Sequence, residues 1–472
     1  MLAVGGLLRL CAAVFSQGFL ASDDHHVVIP VADQIASGVS LAVTYERSAL
    51  YPGVIGAIMA VTRTIGIHDP GVEMMVVRIF QAAYSLLVVY FAYRILERAL
   101  GKESAMLGGL LTAAFFAMPV TAVHQLEESV CQVPMLAACW WWQRTEDQHH
   151  PAHLWAALSG SALGAALILR FPLIGFVAAF VVVALLRRRP VSLIDKVALL
   201  GGLALVVVLQ GYSNAVVNHE WWYSFSQRLG PMLHPQRMAT DAQGYPSSPP
   251  WHYVLTLLAA LIPPVSILLL AAAVKGARQL PLLGLAALAF LVSHSLIANK
   301  QERFLLPILP VVFILAVAGL PWLSARLARA YRGMWWYFWI VNGALLVVLT
   351  FSFAKKDRVA PLLYVYRRHD ATGVLVAQFN QTFHVPDYYL GRPRPLLVVA
   401  TVPGQIATSE GPMNYVILYS DQPDVDRVTI SQRLGRELRL LTLISPSLAD
   451  RLAHAINPSH NKARTARIYT TS

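Results

Sequence analysis

Long apolar stretches alternate with short polar segments along the first three quarters of this chain. A helix that crosses a bilayer needs about 20 mainly apolar residues, and segments of roughly that length recur up to residue 353. We place the predicted spans at 3–21, 72–96, 104–121, 127–143, 153–170, 171–187, 195–213, 252–273, 280–297, 304–323 and 336–353. The pattern therefore predicts an α-helical polytopic membrane protein with about eleven transmembrane helices.

Three segments need an interpretation of their own. We interpret 3–21 as an uncleaved first span rather than a signal peptide, although Ala21 precedes a polar stretch. The apolar stretch 51–67 is short for a span and predicts an interfacial or re-entrant helix. The two spans that meet at Phe171-Pro172 have almost no loop between them, so the helix count depends on this break.

The character of the chain changes after residue 353. The fraction of charged residues rises, and short apolar runs typical of strands appear at 373–377, 396–400 and 415–419. Helical periodicity follows near 431–441 and 447–456. We therefore predict two domains: a transmembrane domain over 1–353 and a small α/β domain over 354–472.

Composition and charge support a membrane protein and orient it. Only 13% of the residues are charged and 56% are hydrophobic, which excludes a soluble enzyme. The net charge of +12 does not indicate nucleic-acid binding, because the basic residues cluster in short loops. Those loops lie at 94–102, 187–189, 275–278 and 326–332, all on one side of the eleven-span arrangement. By the positive-inside rule that side is cytoplasmic, so the loops 22–71 and 214–251 and the C-terminal domain are expected outside.

The three cysteines, Cys11, Cys131 and Cys139, lie scattered in apolar segments. Their odd number and spacing predict neither a disulfide framework nor a metal site.

An acidic pair, Asp23 and Asp24, directly follows the first predicted span and precedes His25 and His26. Neighbouring carboxylates raise the apparent pKa of one member of the pair, which suits proton abstraction or cation binding. The alternative is that these polar residues only end the first span and are solvated by water. Adjacent helical positions point about 100° apart, so the two histidines are a poor chelating pair.

Further acids and one arginine occur where the predicted spans end. Glu127 and Glu128 lie near the outer ends of the third and fourth spans and are candidates to hold a sugar hydroxyl or a cation. The alternative is a solvated helix terminus, where acids are favoured by the helix dipole. Arg170 ends an apolar run and either meets a lipid phosphate or extends to the interface.

A short turn between two predicted spans carries Lys300, Glu302 and Arg303. Two cations at a membrane surface attract an anionic headgroup. Arginine holds a phosphate through two parallel N–H groups and lysine adds a point charge. The turn therefore predicts a site for a lipid-phosphate leaving group.

This turn resembles a motif of the dolichyl-phosphate-mannose-dependent mannosyltransferases of glycosyltransferase family twenty-two, approximately HS, three residues, HKxxRFxxPxxP. The matching residues are His294, Ser295, Lys300, Arg303, Phe304, Pro307 and Pro310, whereas Asn299 stands where the family has its second histidine. Three other stretches are similar to family segments in the same order: Asp23-Asp24, Tyr45-Glu-Arg-Ser-Ala-Leu-Tyr-Pro52 and Gly244-Tyr-Pro-Ser-Ser-Pro-Pro-Trp-His-Tyr253.

The resemblance implies a GT-C fold and an inverting transfer of a sugar from a polyprenyl-phosphate carrier to an acceptor hydroxyl. It implies Asp24 or Asp23 as the base that accepts the hydroxyl proton, and Arg303 and Lys300 as ligands of the donor phosphate. Arg170 is a further candidate ligand of this phosphate because of its place at the outer end of an apolar run. The substrate-binding residues would be His294, Glu302, Trp251, His252, Glu127, Glu128 and Arg47. Trp251 would stack on a sugar or prenyl chain, or anchor the helix in the aromatic belt.

The expected partners are a polyprenyl-phosphate sugar, a glycan or glycolipid acceptor and membrane lipid, without nucleic acid. No cofactor is required by the pattern, and a divalent cation at Asp23 and Asp24 stays open. A bacterial inner membrane with a periplasmic site is expected first, and an endoplasmic reticulum membrane with a luminal site is the alternative. The competing function is a lipid or glycan transporter or flippase without transferase activity, which needs polar residues and broken helices near mid-membrane.

Overall fold

A computed structural model describes residues 1–39, 46–147, 151–187, 190–227, 248–297, 300–406, 413–458 and 461–471, with the side chains of Asp23, Asp24 and Arg329 excepted. The chain folds into two compact units. The first unit comprises Met1–Leu10, Leu41–Tyr51 and Phe80–Val347, and the second comprises Cys11–Ser40, Pro52–Ile79 and Val348–Ser472. The domain boundary expected at residue 353 stays a prediction.

Helices dominate the described chain up to residue 350. They are α1 (Leu2–Phe15), α2 (Ser22–Ala36), α3 (Leu50–Thr64), α4 (Pro70–Leu100), α5 (Lys102–Ala114), α6 (Ala117–Val123), α7 (Glu127–Val130), α8 (Gln132–Glu146), α9 (Ala152–Leu169), α10 (Ile174–Leu186), α11 (Leu193–Asn218), α12 (His252–Ala260), α13 (Val265–Gly276), α14 (Pro281–Leu296), α15 (Leu309–Leu327) and α16 (Arg329–Thr350). Single 3₁₀ segments, Phe171–Leu173 and Glu302–Ile308, precede α10 and α15.

The described residues contain five helices that are long and apolar enough to cross a membrane, or seven if each of two bent pairs is one span. The shorter apolar helices Leu2–Phe15, Phe171–Leu186 and Pro281–Leu296 coincide with three further predicted spans. A polytopic helical architecture is therefore confirmed, and the count of eleven stays a prediction. The predicted break at Phe171-Pro172 is present, since α9 ends at Leu169.

Two predicted spans are not continuous helices, because each consists of a bent pair of shorter helices. The pair α5 and α6 bends by 56°, and the pair α12 and α13 bends by 115° around Pro263 and Pro264. Proline lacks the amide hydrogen that a helix interior requires, so it explains the second bend. At the first bend, the Asn342 side chain donates to the Ala114 carbonyl at 2.8 Å and accepts from the Phe116 amide at 2.8 Å.

Arg9 belongs to α1, the first apolar helix, and it is fully buried in the first unit. Its guanidinium donates to the Ser85 hydroxyl at 3.0 Å and to the carbonyls of Ala113 and Thr112 at 3.0 and 3.1 Å. These two carbonyls belong to the last turn of α5, where no helical partner follows. Arg9 therefore satisfies the broken end of α5 from inside the protein.

Small residues bring neighbouring helices of the first unit close together. A Cβ added at Gly160 of α9 would lie 1.9 Å from the Leu199 carbonyl oxygen of α11. A Cβ added at Gly319 of α15 would lie 1.9 Å from the Ala272 carbonyl oxygen of α13. Such close backbone approach is typical of membrane helix pairs, where packing rather than water exclusion drives association.

The second unit contains a five-stranded sheet near the C-terminus. Its strands are β3 (Gly373–Gln378), β4 (Leu396–Ala400), β5 (Tyr415–Tyr419), β6 (Leu438–Ile444) and β7 (Ala466–Thr471), in the order β4-β3-β5-β7-β6. The first three strands are parallel, and β7 and β6 are antiparallel to their neighbours. Helices α17 (Lys356–Tyr366), α18 (Pro423–Leu434) and α19 (Leu448–Ile456) accompany the sheet, and a two-residue pair, β1 (Gln17–Gly18) with β2 (Phe353–Ala354), lies in the same unit.

The predicted small α/β fold and its first three strands are confirmed. The helix predicted over 431–441 is wrong, because α18 ends at Leu434 and residues 438–444 form β6. Gly435 has a φ of 62°, the left-handed conformation that commonly terminates a helix. The helix predicted over 447–456 is confirmed as α19, which Ser447 caps by accepting the Asp450 amide at 3.1 Å.

Candidate active site

Four separated segments of the first unit bring charged side chains into one group, the arginine–glutamate cluster, formed by Arg47, Glu127, Glu128, Arg170 and Arg303. Arg47 Nη1 lies 3.0 Å from Glu127 Oε2. Arg170 bridges both acids, with Nη2 at 2.9 Å from Glu128 Oε1 and Nη1 at 3.8 Å from Glu127 Oε2. Arg303 Nε lies 3.7 Å from Glu128 Oε1. All five residues were candidates from the sequence, and the structure places them together.

Local structure explains how each member reaches the cluster. The short helix α7 begins with Glu127, so both acids lie in its first turn. Arg170 is the C-cap of α9 and has an extended backbone conformation, which turns its side chain away from the helix. Arg303 belongs to the 3₁₀ segment before α15, and the Phe304 ring lies 4.8 Å from the Arg170 guanidinium and 5.3 Å from that of Arg303.

The cluster carries three cations and two anions at a buried position. Glu128 is 0% exposed and Glu127 is 4% exposed. A buried carboxylate requires a paired cation and hydrogen bonds, and the arginines provide the pairing. With all groups ionised, the cations outnumber the anions by one within these five described residues. This arrangement suits an additional anionic group, such as a phosphate.

Lys300 is held differently from the arginines. It is 4% exposed, and its Nζ donates to the carbonyls of Ile297 and Ser248 at 2.6 and 2.9 Å. The second contact joins the Lys300 turn to the segment that precedes Trp251, so two of the stretches used for the family resemblance meet. An ammonium has three donors, and these two carbonyls occupy two of them.

The remaining candidate residues of the first unit lie in different local environments. His294, in the last turn of α14, is buried, with Nδ1 2.9 Å from the Phe290 carbonyl oxygen. Glu302 is exposed, and Trp251 is 62% exposed at the N-cap of α12. His252 begins that helix and lies 5.8 Å from the Tyr253 ring. Roles in substrate binding stay predictions for all four.

The acidic pair lies in the second unit. Asp23 and Asp24 belong to the first turn of α2, which begins at Ser22. Anionic side chains are favoured at this end of a helix by the helix dipole. Among the residues whose side chains are described, no three His, Cys, Asp or Glu are placed to hold one metal ion. The assignment of the pair as base or cation ligand remains a prediction. Tyr45, Asn299 and residues 244–247 of the family-like segments lie outside the described residues.

A charged network in the second unit was not anticipated from the sequence. Asp33 Oδ atoms accept hydrogen bonds from Arg63, Arg392 and Arg394 at 2.7, 2.8 and 2.6 Å. Burial raises the pKa of Asp33, but the hydrogen bonds from Arg392 and Arg63 outweigh it and lower the pKa below its ordinary value. Arg63 also donates to Glu73 at 2.8 Å.

A cavity of about 120 Å³ lies beside this network, and its lining includes Asp33, Arg63, Tyr388 and Arg394. The Tyr388 hydroxyl donates to Glu73 at 2.6 Å, and burial together with this carboxylate raises the pKa of Tyr388. The one sequence signal was Arg63, a cation inside the apolar stretch 51–67. Arg392 and Arg394, which pair with Asp33, lie hundreds of residues away from it, so the network could not be found from local pattern.

The sequence connects this arrangement with a known family. It matches the model of the Alg9-like mannosyltransferase family over residues 6–374. The chain belongs to this family. The matched residues include the acidic pair, the arginine–glutamate cluster and the Lys300 turn, so the resemblance found in those motifs is confirmed at the level of the family. No curated protein sequence matches the chain significantly.

Two solved structures have a fold similar to that of this member of the Alg9-like family. ArnT from Cupriavidus metallidurans, bound to undecaprenyl phosphate, is similar with a TM-score of 0.64 and 13% identity, covering 99% of this chain and 97% of ArnT. The Archaeoglobus fulgidus oligosaccharyltransferase, in complex with Zn and sulfate, has a TM-score of 0.51 and 10% identity, covering 93% of this chain and 72% of the other. At these identities the similarity concerns the fold.

Proposed function

We propose that this chain transfers a sugar, mannose or another hexose or pentose, from a polyprenyl-phosphate carrier to a lipid-linked or cell-envelope glycan, with inversion. The observation that carries the proposal is the arginine–glutamate cluster. It joins Arg47 and Arg303, which come from two family-like segments, through the buried acids of α7. A surplus cation in such a group suits a phosphate leaving group.

The proposed chemistry divides between the acidic pair and the cationic residues. The bond between the sugar anomeric carbon and the carrier phosphate breaks, and a bond from that carbon to the acceptor oxygen forms. Asp24 or Asp23 accepts the proton of the acceptor hydroxyl. Arg303, Arg170 and Lys300 stabilise the negative charge that develops on the departing phosphate. The fold shared with an ArnT structure that holds undecaprenyl phosphate supports a polyprenyl-phosphate carrier.

The base is tested by changing Asp23 and Asp24 to asparagine one at a time. Asparagine keeps the side-chain shape and removes the charge. Purified protein is assayed with a panel of prenyl-phosphate sugars, and donor binding is measured separately. One variant should lose transfer by about 100-fold to 10,000-fold while donor binding persists. If both variants keep more than about a tenth of the activity, the base lies elsewhere, and Glu127 and Glu128 become the candidates.

The same assay tests whether a divalent cation takes part at the acidic pair. Transfer is compared before and after treatment with a chelator, followed by addition of Mg²⁺ or Mn²⁺. A loss that either metal restores would support a cation bound at Asp23 and Asp24. Full activity in the chelator would leave these residues to act without metal.

The competing function, a transporter or flippase, needs polar groups available near mid-membrane. Broken helices are present, but the broken ends at the α5–α6 bend are occupied by Arg9 and Asn342. Because these backbone groups already have hydrogen-bond partners, we infer that the α5–α6 bend has a structural role. Membership of a mannosyltransferase family also favours transfer over transport.

We propose a bacterial inner membrane as the location, with the acidic pair facing the periplasm, and an endoplasmic reticulum membrane as the alternative. The basic loops on the opposite side support this orientation. Alkaline phosphatase fused after residue 472 in a bacterial host should be active. An inactive fusion that is expressed at normal level would reject the orientation.

A further inference from the structure

Three cationic side chains of the C-terminal region form a buried cation cluster: Lys355, Arg358 and Arg464. Arg464 is 7% exposed, and Lys355 and Arg358 are partly buried. Among the side chains that the structure describes, no carboxylate oxygen lies within 4.0 Å of any of the three side-chain charges. This differs from the Asp33 network of the second unit, where each arginine has a carboxylate partner.

Part of the hydrogen-bonding capacity of the cluster is also unused. Arg464 Nε and Nη1 and Arg358 Nε are buried and have no hydrogen-bond partner among the described residues. A buried donor without a partner is destabilising, and more so when it is charged. Such a group is expected to persist only where a ligand or another function compensates it.

Both guanidinium groups converge on one aromatic ring. The Arg358 Cζ lies 4.9 Å and the Arg464 Cζ 5.0 Å from the centre of the Phe383 ring. This ring packs on Tyr419 in a T-shaped arrangement, and the Tyr419 hydroxyl donates to the Asp357 carbonyl at 2.7 Å. The ring therefore fixes the two cations near each other but accepts none of their N–H groups in a strong hydrogen bond.

Nearby acids do not balance the charge. Asp450 accepts the backbone amides of Lys355 and Lys356 at 2.8 and 3.3 Å and caps α19 as well. Burial raises the pKa of Asp357 to about 6, against the effect of Arg358. Among the side chains that the structure describes, and with every group ionised, the three cations face the two carboxylates of Asp357 and Asp450, which leaves one positive charge in surplus.

We propose that the buried cation cluster binds a phosphate group, supplied either by a lipid headgroup or by a free phosphate compound. A phosphate presents several acceptor oxygens to converging N–H donors, and guanidinium groups match its geometry. The cluster adjoins α2, because Arg358 Nη1 lies 3.3 Å from the Ser22 hydroxyl. The proposal concerns binding alone and stands whether or not the chain transfers a sugar.

The full-length protein in detergent is heated in increasing sodium phosphate and, in parallel, in sodium chloride of equal ionic strength. A second arm uses nanodiscs of phosphatidylcholine with and without phosphatidic acid. Phosphate binding should raise the unfolding temperature in a saturable way beyond the chloride effect. A rise only with sodium phosphate identifies a free phosphate compound, and a rise only with phosphatidic acid identifies a lipid headgroup.

Arg464→Gln should remove this rise, and Arg464→Lys should retain a weaker one with an affinity reduced about tenfold. Arg436→Gln, a change of an exposed arginine in the same region, should keep the full rise. If Arg464→Gln does not fold, Arg358→Gln takes its place in the comparison. The proposal is overturned if neither arm stabilises the wild-type protein, or if the rise persists in the folded glutamine variant.

Discussion

Replacing Gly202 by alanine should loosen the contact between α9 and α11. A Cβ at this position would lie 2.1 Å from the Ala157 carbonyl oxygen, whereas ordinary contact begins at 3.4 Å. The two backbones must therefore separate locally by more than 1 Å. A gap of that size forfeits a large part of the dispersion attraction, and overpacking of this kind costs about 1–3 kcal/mol.

The neighbouring Gly201 provides the matched control, because a Cβ there would meet no atom within 4 Å. Gly201→Ala should gain about 0.5–1 kcal/mol from better helix propensity. Gly202→Ala gains the same propensity, so the two variants should differ by the overpacking cost of roughly 1–3 kcal/mol, which for a chain of this length is about 1–3 °C in unfolding temperature.

The assay is thermal unfolding in detergent, followed with a thiol-reactive dye. Cys131 and Cys139 are buried and should react only as the protein opens, while the partly exposed Cys11 gives a constant background. Equal unfolding temperatures for Gly201→Ala and Gly202→Ala would refute the close approach of the two helices. A lower value for Gly201→Ala than for Gly202→Ala would refute it as well.

Single sites give three further predictions. Asn342→Leu should lower the unfolding temperature in the same dye assay, because it leaves the buried Ala114 carbonyl unpaired at about 1–3 kcal/mol and removes the partner of the partly buried Phe116 amide; an unchanged temperature would contradict this. Burial raises the pKa of Asp357 to about 6, from 3.8 in an unfolded chain. Its contribution to the stability of the folded protein is therefore complete below pH 3.8 and is lost as the pH rises through 6. Unfolding temperatures measured between pH 4 and 7 should fall less steeply in Asp357→Asn than in the wild type. Arg303→Lys should reduce sugar transfer more than Lys300→Arg, since only a guanidinium holds two phosphate oxygens in fixed geometry; equal turnover of the two variants would remove that argument.

Several features follow from the sequence because their causes are local. The apolar runs at 373–377, 396–400 and 415–419 form β3, β4 and β5. The first and third runs are buried throughout, as central parallel strands require, whereas β4 lies at the edge of the sheet. Ser447 followed by Asp450 is a capping box, and it places the start of α19 correctly. The family was identified from ordered motifs whose residue types are visible without a structure.

Other features depended on partners that the sequence does not reveal. Residues 438–444 have an apolar pattern compatible with helix or strand, and pairing with β7 decides for a strand after Gly435 ends α18. The bend between α5 and α6 depends on Asn342, more than two hundred residues away. Local periodicity contains no information about such long-range hydrogen bonds.

The charged groups show the same division. The sequence identified Arg47, Glu127, Glu128, Arg170 and Arg303 one by one, because polar residues at the ends of apolar helices are conspicuous. Only the tertiary structure decided that these five meet in one cluster, whereas Lys300 is held by two backbone carbonyls. Ion pairing depends on distances of a few ångströms between distant segments, and those distances are set by helix packing rather than by the residues themselves.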